Sequence, residues 1–251
     1  MESKLAEALR LASQPVAVFL ADEKPEGAVQ FAEGGWGCVA ASMVAVAKGR
    51  TAVFDRRTFG CPGGGTGLGF GNQYERTGFA IEDLLSTGSP ERAARLRRRS
   101  RMAEGERFFA SPELVGRWLG TLPFTDVPAE YVVMRPLGQV AEAERPEVVV
   151  FLVNPDQLSA LVTLSDFRRG SGRSVVARFG GACQSILFAY AEAGREQPRG
   201  VIGFFDIAQR ARIDRDLLSF TAPWALFLEM ESNVKGSFLE MEDWLELRAR
   251  S

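Results

Sequence analysis

The chain has 251 residues, of which 46% are apolar and 25% charged, with a net charge of −2 and no histidine. That balance suits a soluble chain with a sizeable core, and it supplies no basic field for nucleic acid or an anionic membrane surface. The missing histidine excludes His-based triads, His general bases and mixed Cys/His metal sites together.

Taken in chain order, residues 3–13 read as a short amphipathic helix with Leu5, Ala8 and Leu9 on one face. It is charged and does not resemble a secretory signal. "PVAVFLAD" (15–22) is a continuous apolar run of strand length. "CVAASMVAVAKG" (38–49) is small and apolar all round and ends in Gly49, which predicts a buried helix. "TAVFD" (51–55) is the next strand. "GCPGGGTGLGFGN" (60–72) carries seven glycines, and that density predicts a loop with exposed backbone. Helices are expected over 78–88, 89–102 and 111–123, the last two opened by Ser-Pro-Glu cap signals. Six arginines between Arg92 and Arg101 read as a solvated helix face beside Glu91 and Glu104.

Strands are expected at 129–138 and, more strongly, at 147–153. Asn154 followed by Pro155 predicts a helix start, with the helix reaching residue 167. A strand at 174–179, a helix at 183–194 ending in Gly194, and a strand at 200–206 follow. Residues 214–233 read as a short strand, a break at Pro223 and a helix. The closing helix, 240–250, has acids first and arginines last, in keeping with the helix dipole.

The two halves echo each other. "GGWGCVAAS" (34–42) and "GGACQSILF" (180–188) each place a cysteine after glycines at the head of an apolar helix. Each helix leads to a strand ending in Phe-Asp. The expected fold is therefore α+β, a single domain of two similar lobes from an internal duplication, with mixed sheets flanked by helices. Lobe 1 covers about 1–88, a helical insertion about 89–125 and lobe 2 about 126–251.

Three cysteines, an odd and widely spaced set, fit a reducing, cytoplasmic setting better than a disulfide framework. A cysteine at a helix start meets unpaired N–H groups and the positive end of the dipole, which favour thiolate or a bound anion. If the halves meet, Cys38, Cys61 and Cys183 converge, with Gly37, Gly64 and Gly181 allowing close backbone approach. Three thiolates are one short of a structural zinc site. They suit a 4Fe-4S cluster with one iron lacking a protein thiolate. Other readings stay open. The cysteines can line an anion pocket for a small molecule without chemistry, form a thiol-redox pair such as Cys38 and Cys61, or simply pack as small hydrophobes. "GGGTGLG" lacks the Lys-Ser/Thr of a phosphate loop. Asp206 and Arg210 follow the last strong strand at its C-terminal end, where open sheets tend to place ligands; they read as a salt bridge or as part of a site, with the salt bridge favoured. No nucleic-acid or membrane partner is expected, and a homodimer remains open.

Several stretches together resemble a known family. They are "PVAV", the Gly-Cys helix, "CPGG…LG", "FLVNPDQLSAL", "GGAC", "GVIGFFDIAQRAR" and "LSFTAPW". The chain is similar in these to a large uncharacterised prokaryotic family of ArCR-type proteins, domain of unknown function 169. The likeness spans nearly the whole chain and includes the three cysteine motifs. It implies a cytoplasmic prokaryotic setting and carries no assigned activity.

Overall fold

The computed structural model describes residues 1–95 and 99–250. Two compact units divide the chain. One combines Met1–Gly71 with Thr125–Ser251, and the other is Asn72–Phe124. The larger unit opens with α1 (Lys4–Ala8), β1 (Val16–Ala21), α2 (Val39–Ala47), β2 (Ala52–Phe54) and α3 (Pro62–Gly67). The smaller unit holds five short helices: α4 (Gln73–Arg76), α5 (Ile81–Leu84), α6 (Pro90–Ala94), α7 (Arg99–Glu104) and α8 (Pro112–Leu119). The larger unit then resumes with β3 (Tyr131–Pro136), β4 (Val148–Val153), α9 (Pro155–Ser165), β5 (Val175–Ala177) and α10 (Gln184–Ala193). It closes with β6 (Gly200–Gly203), α11 (Ile207–Arg210), β7 (Leu218–Pro223), α12 (Trp224–Asn233) and α13 (Glu242–Leu247).

One sheet of seven strands, in the order β2-β3-β1-β4-β7-β6-β5, forms the frame of the larger unit. Every pairing is antiparallel except the parallel pair β5–β6. The architecture is thus a mixed α/β one. β1 and β4 form the central pair, with Ala17 opposite Val149, while β3, from the second half of the chain, lies between β1 and β2 of the first. One continuous sheet therefore carries strands of both halves. Reading outward from that central pair gives β1-β3-β2 on one side and β4-β7-β6-β5 on the other.

The continuous apolar run at 148–153 is buried at every residue, as expected for a strand covered on both faces. Strand periodicity sorts its side chains. Val149, Phe151 and Val153 join Ala17, Phe19, Phe220 and Ala222 in the main core, under α1, α9, α12 and α13. The alternate residues Val148, Val150 and Leu152 face the side on which α2 and α10 pack. Fully burying one such Val, Leu or Phe side chain contributes roughly 1.5–3 kcal/mol.

Local signals at several helix starts hold. Asn154 and Gln157 form a reciprocal capping box, with Pro155 in the first turn of α9. Gln157 also donates to the Leu9 carbonyl at 3.1 Å, which ties α9 to the N-terminal segment. Within the smaller unit, Ser89 and Ser111 cap α6 and α8 by accepting from Arg92 and Leu114 N–H groups. Arg92 pairs with Asp83, Arg95 with Glu91 and Arg101 with Glu106, as befits a solvated charge run. The stretch Leu96–Arg98 of that run lies outside the described residues.

The glycine-rich stretch is the main departure. Pro62–Gly67 is a helix, although its composition predicts a loop. Cys61 caps it, Pro62 fits its first turn, and α10 packs beside it. Tertiary packing overrides the poor intrinsic propensity of glycine here.

Candidate cysteine site

Each cysteine occupies the N-cap position of a different helix. Cys38 caps α2, Cys61 caps α3 and Cys183 caps α10. Cys38 has extended backbone (φ −119, ψ 110), and its thiol donates to Gln209 Oε1 at 3.3 Å. The Cys61 Sγ accepts from the Gly64 N–H at 3.3 Å. The Cys183 thiol donates to the Gly63 carbonyl at 3.2 Å, in the loop-side turn of the neighbouring cysteine helix. Cys183 is buried, while Cys38 and Cys61 are half-buried, and all three are free thiols.

The glycines bring these segments together by permitting backbone to touch backbone. A Cβ on Gly60, whose φ is +80, would stand 2.7 Å from the Gly37 carbonyl oxygen. The residue before Cys61 thus abuts the residue before Cys38. A Cβ on Gly67 would stand 2.7 Å from the Cys183 carbonyl oxygen. No other residue type allows α3 and the head of α10 this approach. Gly37 itself makes room for the Phe31 ring, which a Cβ there would meet at 2.5 Å.

The electrostatics tie the three thiols into one group. Burial pushes the Cys183 thiol well above its ordinary pKa of 9.0, and the charges of Cys61, Cys38 and Asp206 push it further. Burial also raises the Cys61 thiol, the Gly64 N–H partly opposes this, and Cys38 raises it again. Cys183 thus senses both other cysteines, and Cys61 senses Cys38. Without a cation, the buried thiols keep their protons.

Of the glycines expected to meet a ligand, Gly64 has its N–H engaged by the Cys61 sulfur. The Gly181 N–H donates to Gln184 Oε1 at 2.8 Å. A Cβ on Gly181 would lie 3.9 Å from both Cys183 Sγ and Asp206 Oδ2. Asp206, which the sequence offered as either a salt-bridge partner or part of a site, lies beside Cys183, whereas Gln209, bonded to Cys38, was not singled out by the sequence. The expected Asp206–Arg210 salt bridge does not form. Asp206 instead caps α11 through the Ala208 N–H, while Arg210 donates to the carbonyls of Leu217, Asp214 and Arg215. The turn that aims Asp206 includes Phe204, a buried residue in the left-handed region at φ 69. A bulky residue there is strained, and the surrounding packing must hold it.

Among the described residues, no group of three or more His, Cys, Asp or Glu side chains is arranged around the position of a single metal ion. A lone ion would draw its thiolates to about 4 Å from one another. A cavity of 590 Å³ lies elsewhere, lined by Arg169, Arg173, Arg195 and Arg199. Glu229 holds Arg169, and Glu192 holds both Arg195 and Arg199, so much of that charge is already answered. The chemistry-bearing groups gather at the cysteines instead. Among the described residues, no helix is long and apolar enough to cross a membrane.

The family model described as "Uncharacterised ArCR" matches residues 4–233, a span that includes all three cysteine-capped helices. No curated protein matches the chain. No solved structure matches it either.

Proposed function

The chain belongs to the uncharacterised ArCR family, and we propose that Cys38, Cys61 and Cys183 hold a polynuclear iron–sulfur cluster of the four-iron type. One observation carries this reading: the three cysteine-capped helix heads abut, with the Cys183 thiol donating to the Gly63 carbonyl in the first turn of α3 at 3.2 Å and a Cβ on Gly60 falling 2.7 Å from the Gly37 carbonyl oxygen. Clusters are held by cysteine thiolates on different irons, so their ligands stand farther apart than those of one ion. Among the described residues no group of three such side chains is set to hold a metal ion, so the reading requires ligands on different irons. The raised thiols must give up their protons to ligate. They also speak against a resting thiolate nucleophile.

The roles of the residues follow. Cys183, buried and braced by the Gly63 carbonyl, anchors the inner side. Cys61 and Cys38 close the outer side. The first-turn amides of α2 and α10 supply partial positive charge beside the thiolates. With three thiolates, one iron is left to bind an oxygen of a small molecule as a Lewis acid. We further read the two chain halves as descendants of one duplicated unit, supported by the glycine-preceded cysteines that cap α2 and α10.

Anaerobic purification with iron and sulfide analysis tests the cluster. The expected result is about four irons and four sulfides per chain, with visible absorbance, both lost in Cys61→Ser. A colourless, metal-free chain under those conditions defeats the reading. If Cys61→Ser leaves both stability and small-molecule affinity unchanged, a plain binding pocket replaces it. An internal disulfide after mild oxidation, with no iron uptake, would point to thiol-redox chemistry instead.

A further inference from the structure

The helix that starts at Cys183 ends about 15 Å further on by the rise of α10, where the chain builds a second concave feature. There the loops that lead into the parallel strands β5 and β6 enclose the cavity of 590 Å³. That volume is in the range of small-molecule sites. Its lining is all polar, with four arginines and no apolar residue. An apolar ligand finds nothing there to bury against, whereas an oxyanion finds guanidinium forks.

The walls are held from behind. Arg169 donates to both Glu229 oxygens and to the Pro198 carbonyl, which ties one loop to the other. Asp166 accepts from the Ser171 and Ser174 hydroxyls and the Gly172 N–H, so both its oxygens are engaged within its own loop. Buried Glu192 takes the Arg199 fork at 2.7 and 2.6 Å. These carboxylates fix the frame and answer Arg169 and Arg199. Two guanidinium groups remain. Arg195 reaches Glu192 only through Nε, at 3.4 Å, because Arg199 already occupies both Glu192 oxygens. Arg173 is exposed and has no ion-pair partner among the described residues. Against these two stands one carboxylate of the lining, Glu196.

We propose that this cavity binds a small-molecule polyanion carrying at least two phosphate or carboxylate groups, clamped between Arg173 on the β5 loop and Arg195 on the β6 loop. Two cations on separate loops call for two anionic groups, and a single phosphate would leave most of the cavity to water. The site lies at the far end of α10 from Cys183 and does not depend on the cysteine reading.

Isothermal titration of the intact chain with pyrophosphate and, separately, with citrate tests this. The variants are Arg173→Gln, Arg195→Gln and Glu196→Gln, with Arg50→Gln, beside β2 at the opposite edge of the sheet, as control. At least one of the two anions should bind saturably, one per chain, and bind more weakly as salt rises. Each cavity arginine variant should lose about tenfold in affinity. Glu196→Gln should gain about threefold by removing a like charge, and Arg50→Gln should match wild type. All four positions are exposed, so melting should not change. Binding of pyrophosphate alone assigns phosphate groups to the ligand, and binding of citrate alone assigns carboxylates. If neither anion binds, or if the cavity arginine variants bind as tightly as wild type, the proposal is overturned. It also fails if Arg50→Gln weakens binding as much as Arg173→Gln, because the attraction is then general to the surface.

Discussion

The heads of α2 and α10 begin from nearly the same words, two glycines and then a cysteine, yet the structure uses them differently. Cys38 is half-buried on extended backbone and bonds to a side chain, Gln209. Cys183 is buried on helical backbone (φ −72, ψ −17) and bonds to a main-chain carbonyl, that of Gly63. A side-chain partner can swing away, whereas a carbonyl in the first turn of a helix cannot. One motif thus makes an outer, adjustable thiol and an inner, fixed one.

The strongest way to break that contrast is to push α3 off α10. Gly67→Ala sets a Cβ 2.7 Å from the Cys183 carbonyl oxygen, and main chain has little room to yield. The expected loss is about 3 kcal/mol in denaturant unfolding, with no comparable loss for Gly194→Ala, where a Cβ meets nothing within 4 Å. Next in size is the pair of alanine replacements. Cys183→Ala removes a buried side chain and the donor to the half-buried Gly63 carbonyl, and should cost about 2 kcal/mol. Cys38→Ala removes a half-exposed contact and should cost under about 1 kcal/mol. Equal costs would show that the two thiols are not inner and outer.

Reactivity sharpens the comparison further. Alkylation of the native metal-free chain should modify Cys38 well before Cys183, because the second is buried. Peptide mapping of a time course reads this directly, and simultaneous labelling would overturn it. A smaller effect concerns pH. The folded-state pKa values of Cys61 and Cys183 lie above the ordinary thiol value of 9.0, so the fold binds those protons more tightly than the unfolded chain. Their contribution is therefore complete below that value and is lost as pH rises above it. Denaturant midpoints should fall between pH 8 and 10, roughly the window of the ordinary thiol pKa, and the fall should shrink in Cys183→Ala.

Particular residues show what could be read in advance. Asn154 and Pro155 announce α9, because a cap is a local contract between a side chain and the next turn. The run at 148–153 announces a buried central strand. The placement of Cys38 and Cys183 at helix heads was also legible, since glycines followed by an apolar run mark an element boundary. By contrast, nothing local distinguishes 62–67 from a loop; contact with α10 makes it a helix. Asp206 looked like a partner for Arg210, four residues away, but Arg210 satisfies the carbonyls of the following turn. Asp206 instead caps α11 by accepting from the Ala208 N–H.

By itself the sequence determined the composition of the core, the caps, and the presence of three thiols with no histidine to assist them. Those properties depend on neighbours a few residues apart along the chain. Tertiary structure alone decided that the two halves share one sheet, that the glycine-rich stretch coils, and that Gln209 meets the Cys38 thiol. Each depends on contacts between segments far apart in sequence, where shape and packing choose among options that local chemistry leaves equal.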